Sequence, residues 1–436
     1  MKRIIIIALS LSIVLGFIFW RFGPSISLFN QAKDNGPIIL TYWGLWEDEN
    51  LIKPLLVEYQ KQNPKITVNY VKQSSINYRT RVQTQVREGV GPDVFMIHNS
   101  WLPMFSSDLA AAPADIVNLS GYKDMFYPVA YDSFVKNNQI FAASVGIDGL
   151  ALFYNEEMLN GIGANVPKNW REFRDTATKM TVRDSSGIKT AGAALGSTGN
   201  VDHWPDIIGL LLLQEPGVDF NNLNSSLAAG VLKFYTGFVI DPIRKVWDVT
   251  LPSSTQMFAE GRLGFYFAPS WRAHELRIAN PNLKFKVAPV PQLSGKQVSW
   301  ASFWGQAASK NSKNVKEAWK FVKFLTSAEG EKLAYQQASQ VRLFGEPYSL
   351  VSLASELNSD PIAGAYVAQG PIYKSWYLSS NTFDNGINDE IIKYFEDGIN
   401  AALQGTDPQT ALQTVAAGVK QVLDKYTKPQ PAASGR

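Results

Sequence analysis

The chain has 436 residues, 45% of them hydrophobic and 18% charged, which excludes a wholly disordered polymer and leaves room for two or three domains or one large two-lobed body. With 41 Lys and Arg against 38 Asp and Glu the net charge is +3, too balanced for a nucleic-acid footprint. There is no cysteine, so disulfides, Cys-ligated zinc, iron–sulfur clusters, thiol catalysis and a lipidated N-terminal Cys are excluded together.

Met1-Lys2-Arg3 precede an uncharged run, Ile4–Trp20, which Arg21 closes. As a helix this run is roughly 26 Å long. That is the short end of a membrane span and longer than a usual signal-peptide core, and no small-x-small pattern follows it. The expectation is an N-terminal membrane-anchoring helix, a signal anchor over residues 1–23, with Lys2 and Arg3 on the cytoplasmic side. Residues 24–37 read as a spacer. A cleaved signal peptide is the alternative, and either route exports the bulk of the chain.

Ile38–Trp43 is a short apolar run that reads as a buried strand. Asp48, Glu49 and Asn50 then signal a helix carrying Leu51, Ile52, Leu55, Leu56 and Tyr59 at helical spacing, ended by Asn63-Pro64. Ile66, Val68 and Tyr70 alternate as a strand does, a helix follows over about 76–88, and Asp93–His98 reads as a third strand. Strand, helix, strand, helix, strand predicts a parallel α/β sheet, with ligand sites beyond the carboxyl ends of its strands. Those ends are Trp43-Gly44-Leu45-Trp46 and His98-Asn99-Ser100-Trp101.

A second block repeats the style. Gly149–Tyr154 reads as a strand, Pro167–Trp170 opens a helix, Ile207–Leu213 is helical and apolar, and Gly264–Ala268 is a buried strand. Ala318, Phe321, Val322 and Leu325 share one face of a later helix, and two more helices are expected near 388–404 and 410–426. No 20–50-residue repeat is present.

The chain lacks a Walker loop, a dinucleotide fingerprint and a nucleophile elbow. Its three histidines, His98, His203 and His274, lie far apart and show no metal-binding spacing, so no metal and no cofactor are expected. What stands out is 12 Trp and 17 Tyr. Trp43, Trp46, Trp101, Trp204, Trp271, Trp304 and Trp376 sit beside Gly, Pro or Ser in turn-like places, where an indole suits a recognition surface better than a core. A flat aromatic covers the C–H face of a sugar, and carboxylates or amides bond its hydroxyls. Trp46 with Glu47, and Trp101 with Asn99, offer that pairing. Asp148, between Gly146 and Gly149, can bond ligand hydroxyls, serve as half of an acid–base pair, or simply make a turn. No spacing fixes a second carboxylate beside it.

The order of landmarks resembles the family-1 extracellular solute-binding proteins of ABC importers, the group that includes maltose-binding protein. The matching stretches are Ile39–Trp46, Gly91–Phe95, Asp148–Asn155, Val166–Phe173, Phe258–Arg262, Pro269–Trp271, Ala318–Ser327 with Glu329-Gly330, and Ser375–Tyr377. The resemblance implies an α/β, two-lobed periplasmic-binding-protein-like fold with a hinge. Lobe I is expected to hold residues 38–146 and 303–345, lobe II residues 148–300 and 348–428, and 429–436 a flexible tail. By the same resemblance Trp271 and Trp376 stack on sugar, Asp148 sits at the hinge, Trp46-Glu47 and Asn99–Trp101 face the ligand from lobe I, and Trp204 matches loosely.

The implied protein is a monomeric, non-catalytic, extracytoplasmic receptor. It captures a mono- or oligosaccharide by hinge closure and delivers it to ABC permease subunits, held at the membrane by its N-terminal helix. Two readings stay open: an exported glycoside hydrolase, and the same fold binding glycerol-phosphate or a polyamine. Arg272 beside Trp271 keeps a phosphate ligand in view.

Overall fold

The computed structural model describes residues 36–293 and 295–427. The expected anchor over 1–23, most of the spacer and the tail lie outside the described residues. Among the described residues no helix is long and apolar enough to cross a membrane.

Strands β1 (Ile38–Gly44), β2 (Ile66–Lys72), β3 (Val94–His98) and β4 (Leu109–Ala110) come first, followed by the hairpin β5 (Val135–Lys136) and β6 (Gln139–Ile140) and by β7 (Ala143–Ser144). Then come β8 (Ala151–Asn155), β9 (Val182–Asp184), β10 (Gly187–Ala193), β11 (Leu263–Ala268) and β12 (Phe285–Ala288). Last are β13 (Ser299–Trp300), β14 (Trp304–Ser309) and β15 (Tyr373–Lys374). One sheet runs β2-β1-β3-β14-β4 with β7 added to β14, and a second runs β12-β8-β11-β10-β9.

In the first sheet β1 and β3 are parallel, as the local pattern requires. Strand β14 enters from two hundred residues further along and runs antiparallel to β3, pairing Trp304 with His98 and Gln306 with Met96. The sheet is therefore mixed, which a reading of its first sixty residues could not reveal. Side chains alternate across a pleated strand. Tyr42, Gly44, Met96, His98, Trp304 and Gln306 accordingly share one face, and Trp43, Phe95, Ile97 and Ala307 the other. Helix Glu49–Gln62 buries Ile52, Leu55 and Tyr59, and it packs beside helix Ala328–Ser339.

The second sheet is wrapped by an aromatic core in which Phe173 stacks on Phe265 with ring centres 5.0 Å apart. Helix Trp170–Met180 starts where Asn169 accepts a hydrogen bond from Glu172 N at 2.9 Å, satisfying a donor the helix itself cannot. The two last helices, Ile387–Leu403 and Pro408–Thr427, pack on each other and on Ser226–Ile240.

The chain passes from β7 to β8 through residues 145–150 and from β13 to β14 through 301–303. At these passages the backbone is tied laterally. Ile147 N donates to Pro347 O at 2.7 Å, Leu150 N to Trp300 O at 3.0 Å, Ser302 N to Asp148 O at 3.0 Å, and Ala301 N to Lys374 O at 2.8 Å. Residues near 147, 301, 347 and 374 thus lie side by side between the two sheets.

Candidate functional site

A cavity of about 480 Å³ opens between the two sheets. Its wall on the first sheet is the face carrying Tyr42, Gly44, Met96, His98, Trp304 and Gln306, together with Trp46 and Glu47 just past the end of β1. Its opposite wall carries His203, Asp206, Trp271 and Glu275, and Asp148 and Ser302 lie where the chain crosses. The carboxyl ends of β1 and β3 supply cavity-lining residues because a parallel pair leaves those ends free of the connecting helices.

Two indoles meet on the first wall. Trp46 stands edge-on to Trp304, ring centres 5.6 Å apart, and Trp304 in turn stands edge-on to Trp101 at 5.0 Å and to His98 at 5.2 Å. Trp46 is 44% exposed, an unusual cost for an indole that faces only water. Its partner Glu47 pairs with Arg342, which also reaches Glu346 at 3.6 Å.

Asp148 accepts hydrogen bonds from Gly149 N at 2.7 Å, Ser270 N at 3.0 Å and Ser270 Oγ at 2.8 Å. Burial nonetheless pushes its carboxyl up to about 8, with the nearby Glu346 charge acting in the same direction. Asp206, also buried, accepts from Trp300 Nε1 at 2.8 Å and from Ser380 N at 3.2 Å, and burial raises it to about 6.

Both cleft histidines are neutral, each pulled down to about 3 by burial, with Arg272 adding to the effect at His203. Ser100 N donates to His98 Nδ1 at 3.3 Å, so the proton sits on Nε2 and is given to Ser302 Oγ at 3.0 Å. Arg272 Nε donates to His203 Nε2 at 3.0 Å, so His203 carries its proton on Nδ1, facing Ser380 Oγ at 3.2 Å. The hydroxyls of Ser302 and Ser380 are thereby oriented by uncharged rings.

Of the residues singled out in the sequence, Trp46, Glu47, Asp148, Trp271 and Trp304 line this cavity. Trp43, Asn99, Trp101, Trp204 and Trp376 do not line it. Trp43 projects from the face of β1 opposite Tyr42 and is 8% exposed. Trp101 is fully buried, stacked on Phe105 at 5.8 Å and backing Trp304. Asn99 ties segments that flank strands, giving Nδ2 to Ser375 Oγ at 2.8 Å and accepting from Phe303 N at 3.2 Å. Trp204 is buried at the start of helix Trp204–Gln214 while its neighbours His203 and Asp206 face the cleft. Trp376 packs on Phe220 at 4.5 Å.

Sequence reasoning gave no site role to Tyr42, His203 or Asp206, and met His98 as part of the strand end His98–Trp101. Alternation places Tyr42 and His98 on one strand face, but it does not say which face meets the cleft. His203 and Asp206 carry no such signal, because the loop before their helix is positioned only by the tertiary fold.

The family described as bacterial extracellular solute-binding protein matches residues 55–342. A binding protein of Brucella abortus is 23% identical over 313 residues, covering 70% of this chain and 75% of that protein. The multiple sugar-binding protein of Streptococcus mutans is 21% identical over 350 residues, 77% of each chain. Among solved structures, a cyclo/maltodextrin-binding protein complexed with maltotetraose aligns with a TM-score of 0.73 at 17% identity, covering 91% of this chain and 100% of that one. The cyclic alpha-maltosyl-1,6-maltose binding protein of Arthrobacter globiformis aligns at 0.72 and 16%, covering 89% and 100%. The two sheets, the cleft between them and the matched span agree: this chain belongs to the bacterial extracellular solute-binding proteins, with their two-lobed α/β fold.

Proposed function

We propose that the protein is an extracytoplasmic receptor that captures a mono- or oligosaccharide between its lobes and passes it to an ABC permease without chemical turnover. The observation that carries this reading is the convergence of Trp46 and Trp304 from one wall and Trp271 from the other on a single cavity. Aromatic faces there are interleaved with hydroxyls and carboxyls that can meet a ring of sugar hydroxyls. The relatives named for multiple sugars and for maltotetraose support the same ligand class.

In this reading Trp46, Glu47, Asp148, Trp271 and Trp304 contact the sugar. Lobe I spans 38–146 and 303–345, and lobe II spans 148–300 and 348–428. The laterally tied segments near 147, 301 and 347 are the hinge about which the lobes close. A helix over residues 1–23 holds the receptor, as a monomer, at the membrane beside its transporter.

Isothermal titration against a panel of mono- and oligosaccharides tests the proposal. Heat from at least one, with that sugar recovered intact, is the expected result. Silence toward every saccharide, with binding of spermidine or glycerol-3-phosphate, overturns it, and release of reducing sugar from an oligosaccharide turns the protein into an enzyme.

A further inference from the structure

The cavity does not end between the lobes. Its lining continues onto Leu55 of helix Glu49–Gln62, Tyr335 and Ala338 of helix Ala328–Ser339, and Leu325 and Tyr70, above a floor formed by Tyr42 and Gln306 of the first sheet. This is the layer where helices pack on a sheet, and protein interiors leave such layers close-packed, because unfilled volume forfeits contacts on every wall. A chamber here that is continuous with the cleft is therefore a place that something enters.

Its walls are aliphatic and aromatic, and the polar groups along them are mostly engaged. Tyr70 gives its hydroxyl to Glu47 O at 2.6 Å. Glu331 accepts from Ser349 N at 3.2 Å and Leu350 N at 3.3 Å. The exception is Gln306. It is 4% exposed, it lies against the Tyr42 hydroxyl, and its Oε1 has no hydrogen-bond partner among the described residues. A buried acceptor left unpaired is destabilising, so the chamber favours an occupant that brings one donor to that oxygen.

We infer that the ligand is an amphiphilic glycoside, whose sugar lies between the lobes and whose apolar aglycone enters this chamber with one hydroxyl or N–H directed at Gln306. The inference rests on the carbohydrate reading and narrows it. An unsubstituted sugar unit suits the chamber poorly, because its hydroxyls would meet Leu55, Leu325 and Ala338 with nothing to bond.

The test is titration calorimetry of the full chain with methyl, phenyl and 4-hydroxyphenyl glycosides of glucose, galactose and mannose, and with unsubstituted maltotriose. The expected order is 4-hydroxyphenyl, then phenyl, then methyl, with the aryl forms at least tenfold tighter than the methyl form of the same sugar. Ala338→Phe, which fills the chamber, is expected to erase the aryl advantage and leave methyl-glycoside affinity within twofold. Gln306→Leu is expected to remove the difference between phenyl and 4-hydroxyphenyl forms. Equal affinity for methyl and aryl glycosides, or maltotriose tighter than every aryl form, overturns this inference and leaves the carbohydrate reading standing. Silence toward all of the probes overturns this inference, and the carbohydrate reading is then decided by the wider saccharide panel above.

Discussion

Arg272 lies over the indole of Trp271, its guanidinium carbon 4.3 Å from the ring centre. The cation is held by Glu275 at 2.5 Å and by the His203 ring at 3.0 Å. One face of Trp271 is thus occupied, and the ring is fixed against the cavity it lines by a stack that favours Arg over Lys. Trp271→Ala is expected to weaken saccharide binding at least tenfold, about 1.4 kcal/mol. Arg272→Met is expected to weaken it severalfold by loosening the ring. Calorimetry on both variants checks this, and unchanged affinity in Trp271→Ala removes the residue from the site.

The tryptophans separate by what they hold. Trp101 is fully buried against Phe105 and Trp304, so Trp101→Ala is expected to cost about 3–5 kcal/mol in urea unfolding. Trp46, 44% exposed, is expected to lose under about 1 kcal/mol of stability on truncation and to lose ligand affinity instead. A large stability loss in Trp46→Ala would mark it as core.

Glu331 and Asp148 both have carboxyls raised to about 8, chiefly by burial. Each binds its proton more tightly folded than unfolded. Their contribution to stability is therefore complete below the ordinary carboxylate range and is lost as pH rises toward 8. His98 and His203, held near 3, act oppositely, but only below about pH 6.5. Between pH 6.5 and 9 the melting temperature is expected to fall by several degrees. Glu331→Gln, which has no proton to release, is expected to show a shallower fall in the same scan. Parallel curves would place the Glu331 carboxyl in its ordinary range.

Gly149 carries the close approach between the crossing segments. A Cβ there would lie 1.9 Å from Trp300 O, against backbone that cannot turn aside. Gly149→Ala is expected to destabilise the protein by several kcal/mol, or to prevent folding, by breaking the Leu150–Trp300 bond at 3.0 Å. Gly146→Ala, whose Cβ would meet the Glu346 side chain at 2.8 Å, is expected to be milder. Equal unfolding midpoints for Gly149→Ala and the parent chain would show that the crossing is slack.

The elements themselves were legible in the sequence, because hydrophobic period and end signals are local. The apolar run ending at Trp43, the Asn169 cap before Trp170 and the paired C-terminal helices need no distant partner to form. Three long-range facts were not local: that β14 joins β3 antiparallel, that Trp101 backs Trp304 instead of facing ligand, and that His203 and Asp206 arrive opposite Trp46. A tryptophan next to a glycine or serine carries the same local signal whether its ring turns inward or outward. Strand alternation separates Tyr42 from Trp43, but which of the two faces is the cleft depends on where helices Glu49–Gln62 and Ala328–Ser339 come to rest. The sequence alone determined an α/β chain rich in aromatics at strand ends. The tertiary structure decided which of those rings share a cavity, because side-chain direction becomes meaningful only once both sheets and the laterally tied segments near 147, 301 and 347 are in place.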